Sequence, residues 1–200
     1  MTNEIDEQLI VRLLDVIEHD IVPLTAAAVT GGSKVFGSAI LRKEDLSLVI
    51  AGTNNEIENP LWHGEVHTLK LFYEIPVEER PDTIDCIFLA THEPCSLCLS
   101  AITWTGFDNF HYLFKYADTS ATFNIPHDLK ILNEVFAVQN GNYVRENAFW
   151  KSNSIVDIIE RFPEAIRFSL QQRVTSLAEV YAALSMTYQQ SKGMADIPLP

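Results

Sequence analysis

Two short segments of this 200-residue chain gather the side chains best suited to metal and proton chemistry. The first is Leu61-Trp62-His63-Gly64-Glu65-Val66-His67-Thr68, the second Thr91-His92-Glu93-Pro94-Cys95-Ser96-Leu97-Cys98. Cys95 and Cys98 lie three apart, so on a helix both sulfurs share one face. Pro94 suits the entry to that helix, because proline is tolerated in a first turn. A helix N-terminus carries partial positive charge and favours the thiolate, the form that binds metal. His63 offers a third ligand from a neighbouring helix. Three protein ligands leave the fourth position of tetrahedral zinc open, which marks a catalytic rather than a closed structural site. A water held at such a position titrates near pH 7. Glu65, two residues past His63, can take that water's proton and return it to a reacting nitrogen.

Other readings of the same residues fit less well. His63 and His67 are four apart, but a His-Glu-x-x-His protease needs Glu directly after the first His, and Gly64 stands there. A redox Cys-x-x-Cys pair leaves the His63/Glu65 spacing without a role. A zinc-stabilised binding module that has lost activity has no use for Glu65. His67 reads as a packed or hydrogen-bonded helix residue. His92 and Glu93 flank the cysteine turn and either line a pocket or face solvent. Cys86, in an apolar strand, reads as a small buried hydrophobe. Trp104 and Phe107 read as core packing or as pocket wall. His19, His111 and His127 carry no signal.

These residues need elements to hold them. Near-helical spacing of apolar residues predicts an amphipathic helix over 5–19. Two β-branched runs, Val35 to Leu41 and Leu46 to Ala51, read as a hairpin across Arg42-Lys43-Glu44-Asp45. A polar loop from Thr53 to Pro60 leads to a helix from about His63 to Tyr73. Ile84 to Ala90 is a continuous apolar run, a buried strand. A short helix follows from Cys95 to Thr103, then a strand from Phe110 to Phe114 and a helix from Asp128 to Phe136. Such alternation implies an α/β sandwich around one sheet. From Ser152 the pattern changes to successive helices, with breaks expected at Pro163 and near Arg173. The organisation expected is therefore a domain over 1–150 and a helical C-terminal extension over 151–200.

Charge narrows the partners. The chain carries 27 acidic against 14 basic residues, a net charge of -13. Nucleic-acid affinity comes largely from Lys and Arg on phosphates, and no Lys/Arg cluster stands in the sequence. A nucleic acid is therefore not the expected partner, and neither is an anionic membrane. The N-terminus has no basic region followed by an apolar run, and no apolar stretch approaches the roughly 20 residues that span a bilayer. The three cysteines do not form a closed disulfide set. A small-molecule substrate and a cytoplasmic setting are the expectation.

The two motifs match the His-x-Glu…Pro-Cys-x-x-Cys signature of zinc deaminases, and the chain resembles the cytidine deaminase superfamily over roughly residues 25 to 140. His63-Gly64-Glu65 resembles the triplet of fungal cytosine deaminase. Asn59-Pro60-Leu61-Trp62-His63 is similar to the lead-in of bacterial guanine deaminases and tRNA adenosine deaminases. The resemblance implies a three-layer α/β/α sandwich around a five-stranded mixed sheet, with the helical extension appended. It implies a Zn2+ cofactor on His63, Cys95 and Cys98, with Glu65 catalytic. It places Asn54, Gly64, Pro94 and Asp118 beside the substrate, although Asp118 also reads as an ordinary turn residue. It implies a homodimer. The expected reaction is hydrolytic deamination of a guanine-like purine or of cytosine, as base or nucleoside, with release of ammonia. The alternatives are a tRNA adenosine deaminase and the inactive binding module.

Overall fold

The computed structural model describes residues 2–118, 127–192 and 197–199. Helix α1 (Thr2–Val16) runs through a five-residue π-helical segment (Ile17–Ile21) into α2 (Val22–Thr30). The helical path thus extends well past residue 19. Pro23, which has no N–H to donate, follows closely on the π-helical segment, where the regular hydrogen-bond ladder is already interrupted.

Strands β1 (Gly37–Arg42) and β2 (Leu48–Thr53) form the expected antiparallel hairpin. Helix α3 spans Gly64–Glu74, β3 Cys86–His92, α4 Ser96–Trp104 and β4 Asn109–Phe114. Helix α5 is His127–Phe136. Strand β5 (Lys151–Ser154) completes the sheet, so the first residues after position 150 pair with β4. Helix α6 (Ile155–Ile159) follows at once, its first turn capped where the Ser154 hydroxyl accepts the Asp157 N–H.

The final helix, α7 (Glu164–Ser191), begins just after Pro163 and runs 28 residues without interruption. The break expected near Arg173 is absent. No Gly or Pro lies inside α7, and Arg173 instead reaches from mid-helix to Asp15 at 2.7 Å and Glu18 at 3.1 Å.

The five strands lie in the order β2-β1-β3-β4-β5. β1 is antiparallel to both neighbours, while β3, β4 and β5 run parallel, so the sheet is mixed. Alternation along β3 divides the core. Ile87 and Leu89 pack with α1, α6 and α7, and Cys86, Phe88 and Ala90 pack with Leu69 and Phe72 of α3 and Leu99 and Ile102 of α4. Both faces of the sheet are therefore covered, giving three layers. Among the described residues, no helix is long and apolar enough to cross a membrane.

Candidate active site

The two motifs occupy equivalent places in the fold. His63 is the residue capping the start of α3 and Cys95 the one capping the start of α4. Glu65 and Cys98 follow in the first turns. Both helices thus point their positive ends at one spot.

The start of α3 is fixed by contacts that reach across the fold. Asn54 Oδ1 accepts the Gly64 N–H. The Gly64 carbonyl accepts the Ser38 hydroxyl at 3.0 Å and the Thr68 hydroxyl at 2.8 Å. A Cβ on Gly64 would meet the backbone of Phe36 at 2.8 Å and of Gly37 at 2.9 Å. The glycine in the His-x-Glu triplet is therefore what lets α3 dock against β1. The Asn54 amide group also donates to Glu56 at 2.7 Å. Glu56, buried, pairs with Lys34 at 2.7 Å and lies 3.8 Å from His63 Nε2.

The cysteine turn is held as firmly. Glu93, 3% exposed, accepts the Tyr116 N–H at 3.1 Å and the Tyr143 hydroxyl at 3.0 Å, and forms an ion pair with Arg145. The Tyr116 hydroxyl donates to the Pro94 carbonyl. His92 is buried against Phe36 and Phe114, and burial lowers its pKa to about 3, so it is neutral. Neither residue faces bulk solvent.

His63, Cys95 and Cys98 converge. Cys95 Sγ lies 3.4 Å from His63 Nδ1 and 3.5 Å from Cys98 Sγ, and Cys98 Sγ lies 3.9 Å from His63 Nδ1. Tetrahedral ligands at Zn–S of about 2.3 Å and Zn–N of about 2.0 Å stand roughly 3.5–3.8 Å apart. The three side chains fit that spacing. Among the described residues they are the cluster of ligating atoms close enough to hold a metal. Glu56, beside the far ring nitrogen of His63, is placed to orient the imidazole. His67 is turned away: its Nδ1 pairs with the Thr53 carbonyl at 2.8 Å and its ring stacks on Trp62.

The cluster's own chemistry anticipates a cation. The Cys98 S–H and then His63 hold the Cys95 thiol well below its usual range. Burial, reinforced by the charge on Cys95, pushes Cys98 up. Burial alone would lower His63, but Cys95 beside it raises it to about 9. Burial, then the Cys95 charge, raises Glu65 to about 7. The site thus holds protons that a divalent ion can replace.

A cavity of about 370 Å³ opens on His63 and Cys95. Its walls include Phe36, Glu56, Leu61, Asp128 and Ile131, and Ile197, Pro198 and Leu199 close one side. A void of about 10 Å³ lined by His63, Glu65, Cys95, Cys98 and Asp128 adjoins it, room for about one water. Asn54, Gly64 and Pro94 stand behind these surfaces rather than in the lining. Asp118 is exposed, and its carboxylate accepts the Lys115 N–H at 2.9 Å as a turn aspartate does. Asp128, ten residues later, does line the cavity, together with Glu56. Burial, then the Cys95 charge, pushes Asp128 well above the usual carboxylate range. Lys34, Glu56 and Asp128 carried no recognisable motif. Phe107 is core, whereas Trp104 is 90% exposed and lines neither of the cavities at the ligand cluster.

Over residues 19–114 the sequence matches the family described as cytidine and deoxycytidylate deaminase zinc-binding region. That span holds all three candidate ligands and Glu65. A mutant protein crystallised with 8-azaguanine has a similar structure, with TM-score 0.51 and 15% identity over 86% of this chain and 81% of that one. Guanine deaminase from Nitrosomonas europaea gives 0.48 and 17% over 78% and 81%. A tRNA:A34 deaminase gives 0.43 and 15% over 68% and 98%. No curated protein matches the chain. The zinc-binding region matched over residues 19–114 and the ligand cluster it contains are those of the cytidine deaminase superfamily, which this chain resembles. Zinc is the metal that the matched region binds, and His63, Cys95 and Cys98 are the residues placed to hold it.

Proposed function

We propose that the chain hydrolytically deaminates a small aminated nucleobase or nucleoside, a guanine-like purine or cytosine, and releases ammonia. The observation that carries this reading is the cavity of about 370 Å³, which opens on His63 and Cys95 and has Asp128 in its wall. Its size is that of a small-molecule site.

Held by His63, Cys95 and Cys98, zinc would supply Lewis acidity and make a water nucleophilic at neutral pH. The protein's own side chains do the rest. Glu65 takes one proton of the attacking water to the ring nitrogen, and then the remaining hydroxyl proton to the departing amine as the C–N bond breaks, leaving a carbonyl and ammonia. Asp128 accepts a ring or exocyclic N–H, or donates to a ring nitrogen when protonated. Asn54 and Gly64 keep Glu65 in register, and Pro94 does the same for the cysteines. Ile197, Pro198 and Leu199 keep water out.

The decisive measurement is ammonia release from zinc-loaded protein offered guanine, cytosine, adenine and their nucleosides, beside a tRNA control. Turnover of one small substrate is expected. Preference for tRNA would favour the polymer reading and overturn this one. With the substrate in hand, Asp128→Asn should lower kcat/KM by about 10- to 100-fold, the worth of a hydrogen bond to a charged group. An unchanged kcat/KM would remove Asp128 from recognition.

A homodimer is also proposed. Trp104, at the end of α4, is 90% exposed. Tyr73 beside it, whose hydroxyl reaches the Thr105 carbonyl at 3.5 Å, is exposed too. Together with Val77 and Ile84 they present more apolar surface than a solvated helix end requires. Sedimentation should give a dimer at micromolar concentration, shifted toward monomer by Trp104→Glu. A wild-type monomer would refute it.

A further inference from the structure

A second cavity, of about 470 Å³, lies between α1, β5 and α6 and shares no lining residue with the first. Leu9 and Ile158, both half-buried, give it an apolar wall. His111 of β4 lines it from within, 7% exposed, and its Nδ1 has no hydrogen-bond partner among the described residues. A buried ring nitrogen left unpaired costs stability unless something completes its hydrogen bond. Burial lowers its pKa to about 4, so at neutral pH the ring is uncharged and offers one donor and one acceptor.

The remaining walls are cationic for so acidic a chain. Arg145, Lys151 and Arg161 all line the cavity, three of the protein's 14 basic residues. Arg145 spends only Nη1 on Glu93, Tyr112 and Tyr143, leaving its other N–H donors without a partner among the described residues. Lys151 has only a loose contact, 3.7 Å, with Glu146. Of the two acids in the lining, Asp157 is already paired with Lys115 at 2.7 Å, and Asp6 is exposed.

We propose that this cavity is a binding site for a small organic anion, its apolar or planar body against Leu9 and Ile158 and its phosphate or carboxylate head toward His111, Lys151 and Arg161. The bound molecule would lie one side chain, Arg145, from Glu93 and the cysteine turn.

Isothermal titration of the zinc-loaded full chain tests this with four probes: phenyl phosphate, benzoate, neutral benzyl alcohol and cationic benzylamine. At least one anion is expected to bind with a dissociation constant of about 1 mM or tighter, and which one binds identifies the head group. Benzyl alcohol and benzylamine should bind at least tenfold more weakly. His111→Phe should weaken the anion at least tenfold. So should the surface pair Lys151→Ala/Arg161→Ala, which leaves the core intact and keeps the test open should His111→Phe fail to fold. Absence of anion binding, preference for benzylamine, or binding indifferent to these variants would overturn the proposal.

Discussion

Glu65→Gln is expected to abolish turnover while leaving zinc content and fold intact. Glu65 lies in the first turn of α3, 5% exposed, with Oε2 accepting the Cys98 S–H at 3.2 Å. It borders the small void beside the ligand cluster but is not one of the three clustered ligands. Glutamine has the same shape and keeps the hydrogen-bonding reach, but it cannot carry a proton. Burial raises the Glu65 carboxyl to about 7, where a group both takes and gives up protons readily at neutral pH. General acid–base catalysis typically contributes 10²–10⁴-fold. One carboxylate here serves several transfers, so the loss should reach the upper part of that range. Stability should not fall. A carboxyl whose folded pKa is raised binds its proton more tightly when folded, so its ionisation costs stability as pH rises from about 4.5 through 7. The neutral amide escapes that cost, and the variant should be at least as stable at pH 8. The measurement is metal content, thermal melting and rate on one substrate. A zinc-replete variant that retains more than about a tenth of wild-type rate would show that Glu65 is not the proton shuttle.

Much of the site was legible because its chemistry is local. Cys95 and Cys98 need only one helical turn to meet, and His63 and Glu65 only the first turn of another. The residues that complete the pocket were not legible, for a physical reason. Lys34, Glu56 and Asp128 reach the site from a turn, a polar loop and the start of α5. Only tertiary folding brings them together, so no spacing announces them. The same limit explains Asp118. Its place after β4 suggested a substrate contact, but the chain turns at Lys115 and the side chain spends its carboxylate on that turn. Asn54, expected beside the substrate, has both ends of its amide engaged by Gly64 and Glu56, pairings that no spacing announces.

The fold divides along similar lines. Strands with long apolar runs, and helices carrying a motif at their start, were read close to their observed limits. Strand β5, Lys-Ser-Asn-Ser, has no β-branched or apolar residue. Pairing with β4 alone makes it a strand, and propensity could not reveal it. Helix α7 runs through the break expected near Arg173. The unbroken helix is consistent with Leu170, Leu177, Tyr181 and Tyr188, all buried in the core shared with α1 and the sheet.

The cysteines supply the other large effect. Cys95→Ala and Cys98→Ala should each leave the purified protein nearly free of zinc and inactive, while Cys86→Ala should keep both metal and activity. Even partners outside the ligand shell typically cost 10–100-fold in metal affinity when removed. Loss of a direct ligand should exceed that, at least about 100-fold. The three thiols are chemically alike and all buried, so burial does not separate them. Position does. Cys86 opens β3 among Phe88, Phe110 and Trp150, and burial pushes its thiol up to about 11, the mark of an inert thiol. Cys95 sits at a helix start beside His63 and is held toward the thiolate. Zinc per chain after dialysis, with melting curves for all three variants, makes the comparison. A fall in zinc confined to the Cys95 and Cys98 variants is expected. Stoichiometric zinc in the Cys95/Cys98 double variant would place the metal elsewhere, and with it the chemistry assigned to Glu65.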